Sequence, residues 1–284
     1  MTNIYQVNSN LSLSKKYKLV ENVKECNFIF LTHKIKSKQD KIKYVDENNV
    51  EIVKNALLLA KNNNKKLIYL CGGDVPPVIL PNIKNVLVLN TSVYKSTMPS
   101  NEMIIAPIVE DKFYNYLNDP ILSIGFVGQT LHNRDKYLNY LSNSNLKTNF
   151  ICRDGYIHHL KEEHITEFDN NMNNNLFTVC YRGRGNYSVR FYETLMRGRI
   201  PIVIKTDNIF PFEKWIDYNK IGLFIEETDL NNNMNLEEQI SNFYKSKTKE
   251  QLIEMQKYNR QIYLTYFKEN VFFEKIFEYI ETHQ

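Results

Sequence analysis

The stretch from Leu176 to Trp215, LFTVCYRGRGNYSVRFYETLMRGRIPIVIKTDNIFPFEKW, is compatible with few folds. An apolar run, Leu176–Tyr181, enters an Arg/Gly loop. Ser188 stands at the N-cap position of a helical stretch, Gly198 stops that stretch, and Ile200–Lys205 is a second apolar run. Strand, loop, helix and strand in that order predict a parallel β–α–β unit. The loop sets Arg182 and Arg184 beside Gly183 and Gly185, just ahead of the helix N-terminus. Two cations, pliable backbone and open N–H groups at one point suit a diphosphate. Arg190 and Glu193 follow on one helix face, and the carboxylate there suits a pair of sugar hydroxyls. A solvated basic loop with a simple Arg190–Glu193 ion pair is the competing account.

The same alternation runs through the chain. Asn27–Thr32, Leu67–Cys71, Val86–Leu89 and Met103–Ile108 read as strands, with a helix over Val50–Ala60. Asp111–Pro120 is polar and aromatic and reads as a linker. Strands resume at Ile121–Val127, Asn149–Cys152, Leu176–Tyr181, Ile200–Lys205 and Ile221–Ile225, with a helix over Arg134–Leu141. Continuous apolar runs separated by helices predict parallel sheets covered on both faces. The fold class is α/β in two consecutive units: 1–118, completed by a C-terminal helix at 268–284, and 119–267. The Asn-rich patches 170–175 and 231–235 read as surface loops. From Lys249 to Ile280 the pattern is helical, with an apolar and aromatic stripe that reads as core.

Net charge is +4, and the lysines are scattered rather than gathered on one face, which does not favour nucleic acid. The many tyrosines and the RGRG loop form no compact aromatic–basic RNA motif. Cys26, Cys71, Cys152 and Cys180 are far apart and read as buried thiols in a reducing compartment. No run approaches the roughly 18 apolar residues of a membrane span, and the N-terminus lacks a signal-peptide core. The expectation is a cytoplasmic protein, with peripheral membrane contact left open.

Other chemistry-bearing residues are sparser. Gly125-Phe126-Val127-Gly128, then Gln129, Thr130 and Arg134, forms a second strand–loop–helix corner suited to an anion. Asp74 and His33 each follow an apolar run, at the sheet edge where ligands of open α/β sheets bind. They are the candidate general bases; for Asp74, a turn before Pro76-Pro77 is the alternative. His158, His159 and His164 lack metal-ligand spacing and read as surface helix. There is no Asp-x-Asp, GxxxxGK[ST], GxSxG or GxGxxG, which argues against metal–diphosphate clamps of one transferase class, ATPases, serine hydrolases and NAD enzymes.

FTVCYRGRGNYSVRFYETLMRGRIPIVIKTDNIFPF, with FVGQTLHNRDKYL before it, resembles the exostosin family of glycosyltransferases. The resemblance rests on an RG loop, Ser-x-Arg-x-x-Glu, Gly-x-Ile-Pro and Pro-Phe in fixed order. It covers a third of the chain; the first part matches only in general α/β style. It implies a GT-B fold: two Rossmann-like domains facing a cleft, the C-terminal helix packing back across both, and the donor held by the second domain. It implies sugar transfer from a nucleotide sugar, usually UDP-linked, to a glycan or other hydroxyl acceptor, with inversion and without an essential metal or other cofactor. By motif, Arg134, Arg182, Ser188, Arg190 and Glu193 map to the donor site; Gly128, Gly183 and Tyr187 from the two loops complete the expected set. The short chain and the missing secretory anchor suggest a pared-down bacterial or viral enzyme. A retaining GT-B transferase and a non-catalytic nucleotide-sugar or glycan-binding module are the alternatives.

Overall fold

A computed structural model describes residues 2–7, 17–32, 47–71, 84–155 and 161–283. The chain divides into two compact units, one of Met1–Ala106, Ile209–Pro211 and Phe272–Gln284, the other of Pro107–Asn208 and Phe212–Val271.

The first unit holds strands β1 (Thr2–Val7), β2 (Tyr17–Leu19), β3 (Phe28–Thr32), β4 (Lys66–Leu70), β5 (Val86–Asn90) and β6 (Glu102–Ile104). They form one sheet in the order β2-β1-β3-β4-β5-β6, parallel at every pairing. Helix α1 (Glu47–Asn62) supplies Val53, Ala56 and Ala60 to a core shared with Ile29, Leu31, Leu67, Tyr69 and Val88. The C-terminal helix of this unit, described below, packs Phe273 and Phe277 edge-on against Phe30 at 5.9 and 5.2 Å. Burial on both sides is why β3 and β5 read as unbroken apolar runs.

The second unit holds β7 (Ile124–Gln129), α2 (Arg134–Ser142), β8 (Thr148–Arg153), α3 (Glu162–Asn174), β9 (Phe177–Cys180), α4 (Val189–Met196), β10 (Ile200–Lys205), β11 (Leu223–Glu226), α5 (Glu227–Asn232), α6 (Leu236–Lys245) and α7 (Lys249–Ile262). Its sheet order is β11-β10-β9-β7-β8, again all parallel. Helix α4 ends as expected. Gly198 takes φ +61°, and its N–H and that of Arg199 return to the Leu195 and Thr194 carbonyls, both at 2.9 Å. That pair of bonds closes a helix with glycine at the left-handed position.

Several expectations are corrected. The helical stretch from Lys249 breaks: α7 passes into a π-type turn at Tyr263–Phe267, Lys268 is extended, and α8 (Glu269–His283) follows. The turn buries Phe267 completely against Tyr192, while the residues from Phe272 serve the other core. Asn170–Asn174 is the last turn of α3, not a surface loop. Asn171 and Asn175 are buried, and the Asn171 amide donates to the Asn149 carbonyl at 2.7 Å. Asn231 and Asn232 likewise end α5. Cys26 and Cys180 are buried, but Cys71 is half-buried and Cys152 exposed, because β8 is an edge strand. The stretch Asp111–Pro120 holds no helix or strand, and within it Leu117 exchanges two hydrogen bonds with the Gln256 side chain, at 2.8 and 3.0 Å. Strands β1 and β2 went unread.

Among the described residues no helix is long and apolar enough to cross a membrane, and no three His, Cys, Asp or Glu side chains gather where they could hold a metal ion.

Candidate functional site

The site forms at the carboxyl edge of the second sheet. Strand β7 has β8 on one side and β9 on the other, so the chain order reverses there, and ligands of open α/β sheets settle at such a point. The two strands also part. Their register pairs are Ile124–Phe177 and Gly125–Thr178 only, though β7 runs on to Gln129 and β9 to Cys180.

Arg134 spans this split. It opens α2, after Asn133 in the left-handed region at φ +68°. Its Nη1 donates to the Gln129 carbonyl (3.3 Å), Nη2 to the Tyr181 carbonyl (3.3 Å) and Nε to the Arg182 carbonyl (3.1 Å). A side chain thus replaces the rungs that the backbone ladder lacks. Burial, with Arg190 nearby, pulls the Arg134 guanidinium down to about 10.

Beyond the split the Arg/Gly loop closes on itself through Gly183 N–H to the Tyr187 carbonyl at 3.0 Å. Arg182 is half-buried, with Nη1 at 3.5 Å from the Gly183 carbonyl, and Arg184 is exposed. Asn186 is buried beneath the loop and accepts from the Thr206 hydroxyl at 2.6 Å. Tyr187 is half-buried.

Ser188 is the N-cap residue of α4, but its side chain makes no capping bond. Its Oγ is buried without a hydrogen-bond partner. Arg190, one residue into the helix, is in the same condition: Nε and Nη1 are buried and make no hydrogen bond. The Arg190 side chain is 16% exposed, and its carboxylate neighbour Glu193 lies 3.6 Å away, an ion pair too long for a hydrogen bond. The guanidinium lies over two aromatic rings, Phe126 at 4.9 Å and Phe168 at 5.0 Å. Burial lowers the Arg190 pKa, with Glu193 opposing. Gly128 sits at φ +152°, where side chains are rarely tolerated, and a Cβ there would come within 3.3 Å of Arg190 Nη2. The glycine lets the guanidinium approach the end of β7.

The structure therefore brings Gly128, Arg134, Arg182, Gly183, Tyr187, Ser188, Arg190 and Glu193 to one corner of one unit. Buried donors left unmade are costly. Two partly buried guanidinium groups near one carboxylate leave the corner short of negative charge, which suits a polyanion. Asp74, His33, His158 and His159 lie outside the described residues. His164 is in the first turn of α3, where its Nδ1 accepts from the Lys161 N–H at 3.3 Å. The sequence did not mark Phe168, whose ring also underlies Arg197 at 5.3 Å, nor Glu227, which accepts hydrogen bonds from Tyr137 and Tyr181.

Residues 126–240 match the model of the exostosin GT47 domain. Over this stretch the chain is similar to the exostosin family. The matched span holds the whole corner, from Phe126 under Arg190 to Glu227. Over 63 residues the chain is 40% identical to the "Exostosin-1 homolog" of Caenorhabditis elegans, covering 22% of this chain and 16% of that protein. Over 78 residues it is 32% identical to the "Probable glucuronosyltransferase 47 A" of Physcomitrium patens, covering 28% of this chain and 17% of that one. The chain thus spans a small part of these relatives' length. Among solved structures it resembles TarM of S. aureus, at 10% identity and a TM-score of 0.47 over 88% of this chain and 55% of that one. An α1,3-fucosyltransferase structure gives 13% identity and a TM-score of 0.41 over 94% and 80%.

Proposed function

We propose that this chain is an exostosin-type GT-B glycosyltransferase that moves a hexosyl or pentosyl group from a UDP-linked donor to a glycan hydroxyl, inverting the anomeric carbon and using no metal. One observation carries the reading. At the start of α4 the Ser188 hydroxyl and the Arg190 Nε and Nη1 donors are buried without hydrogen bonds, beside the N–H groups of a helix terminus. A diphosphate supplies the acceptors these groups lack. The relatives' names, a glucuronosyltransferase and an exostosin homologue, agree with sugar transfer.

In this mechanism the acceptor oxygen attacks the anomeric carbon as the bond from that carbon to the diphosphate oxygen breaks. A base takes the acceptor proton; Asp74 and His33 are the proposed groups. The electron pair of the broken bond leaves on the diphosphate. Arg182, Arg190 and the first N–H groups of α4 stabilise that charge, the task a metal performs in other transferases. Arg134 contributes its positive field while holding the loop. Glu193 accepts the ribose hydroxyls. The proposed compartment is the cytoplasm.

The test is a thermal-shift panel of UDP, GDP and CMP with and without EDTA, then UDP-sugars with glycan acceptors, the product anomer read by NMR. An EDTA-insensitive shift with UDP and an inverted product support the reading. No shift at millimolar nucleotide overturns it. Binding without turnover, across acceptors, moves the chain to a non-catalytic module. A retained configuration replaces the inverting mechanism alone.

A further inference from the structure

We infer that Glu227 is a positioning residue for the Arg/Gly corner, holding the two sides of the β7–β9 split together through two phenols. A single oxygen, Glu227 Oε1, accepts from Tyr137 Oη at 2.9 Å and from Tyr181 Oη at 2.5 Å. Tyr137 lies on α2, one turn past Arg134. Tyr181 is the residue before Arg182, and its own carbonyl accepts from Arg134. Glu227 itself opens α5, after the far strand β11. The two rings meet at 5.3 Å and are 1% and 2% exposed, so neither hydroxyl can turn to water for a substitute.

The consequence is a closed frame. Arg134 ties the β7 end to the β9 end through backbone carbonyls. Glu227 ties the helix that carries Arg134 to the residue that leads into Arg182. Burial and the adjacent carboxylate raise both phenols, Tyr181 to about 12, so both remain donors. A hydrogen bond to an ionised acceptor is stronger and shorter than a neutral one. Removing Glu227 leaves two buried hydroxyls without an acceptor and lets the loop drift from the guanidinium that spans the split. Glu227 reaches no substrate in this account; it acts through Tyr137 and Tyr181.

The inference rests on the proposed donor site for its ligand readout, so the test has one arm without ligand. Amide hydrogen exchange is compared for the whole chain, Glu227→Ala, Glu227→Gln and the Tyr137→Phe/Tyr181→Phe pair. Expected is exchange faster by about tenfold in Glu227→Ala across 129–137 and 181–188, with other helices unchanged. Glu227→Gln keeps an acceptor oxygen and should restore the wild-type pattern. The second arm titrates inorganic pyrophosphate and uridine. Glu227→Ala and the double phenylalanine variant should weaken pyrophosphate by about fivefold to tenfold and leave uridine within about twofold.

Unchanged exchange at both segments in Glu227→Ala overturns the inference. So does faster exchange across the whole unit, or equal weakening of pyrophosphate and uridine, either of which marks general loosening. A wild-type chain that ignores pyrophosphate and UDP sinks the donor-site reading, while the exchange arm still decides the role of Glu227.

Discussion

Asp111 and Arg260 meet in a two-pronged ion pair, Nη1 to Oδ1 at 2.7 Å and Nη2 to Oδ2 at 3.0 Å. Arg260 also donates to the Met196 carbonyl at 2.8 Å, so the pair fastens the start of the second unit to the end of α4. Its hydrogen bonds, with help from Lys268, hold the Asp111 carboxyl below its ordinary value against a smaller cost of burial. A depressed carboxylate stabilises the fold above its unfolded pKa, near 4 for aspartate, and that contribution fades as pH falls toward the folded value. Asp111→Asn should cost about 1–2 kcal/mol at pH 7 and progressively less as the pH falls below about 4. Urea melts across that range check it; parallel losses at both ends would refute the linkage.

Ser188→Ala separates stability from binding. Its hydroxyl is buried without a partner, so deleting it should shift stability by less than about 0.5 kcal/mol in either direction. The same change should weaken UDP by about fivefold, since it removes one donor from the diphosphate corner. Calorimetric titration beside a denaturant melt reads both. A destabilised variant with unaltered affinity would point to a hidden capping bond instead.

Phe168 offers a test of the rings beneath Arg190. A cation over an aromatic face is worth about 0.5–2 kcal/mol, depending on exposure. Phe168→Leu keeps an apolar contact but removes the ring from under both Arg190 and Arg197. UDP affinity should fall by about threefold to tenfold, and Phe168→Tyr should recover it. Equal affinity in all three chains would leave the ring with a packing role only.

The cysteines should separate by exposure. Cys152 is exposed, Cys71 half-buried, Cys26 and Cys180 buried. Burial raises every one of these thiols, Cys71 to about 11 and Cys180 to about 12. At pH 7.5 a maleimide should add first at Cys152, slowly, then at Cys71. Peptide mapping by mass spectrometry follows the order; early modification of Cys180 would mean that β9 opens in the native state.

Much of the second unit was legible because its cues are local. Ile200–Lys205 is apolar at successive positions since both sheet faces are covered, and Gly198 marks a helix end that its positive φ requires. The loop and helix from Arg182 to Glu193 were legible for the same reason, being close in sequence, whereas Gly128 and Arg134 reach them from an earlier strand and helix. What escaped depends on distant contacts. Asn171 and Asn175 look like surface residues until α3 places them against β7 and β8. Phe168 meets Arg190 from another helix, and Glu227 meets Tyr137 and Tyr181 from far along the chain. The break near Lys268 was hidden because the aromatic stripe runs through it unchanged, although its halves belong to different cores. β1, only partly buried, carries too weak a pattern to stand out.

The rings under Arg190 have a thermodynamic consequence. A free arginine samples many rotamers, and fixing it on a ligand costs on the order of 1–2 kcal/mol of side-chain entropy. Here Phe126 and Phe168 have already confined the guanidinium, so that loss belongs to folding and not to the encounter with an anion. Loosening either ring should therefore appear in calorimetry as a less favourable entropy of association, with much of the heat retained.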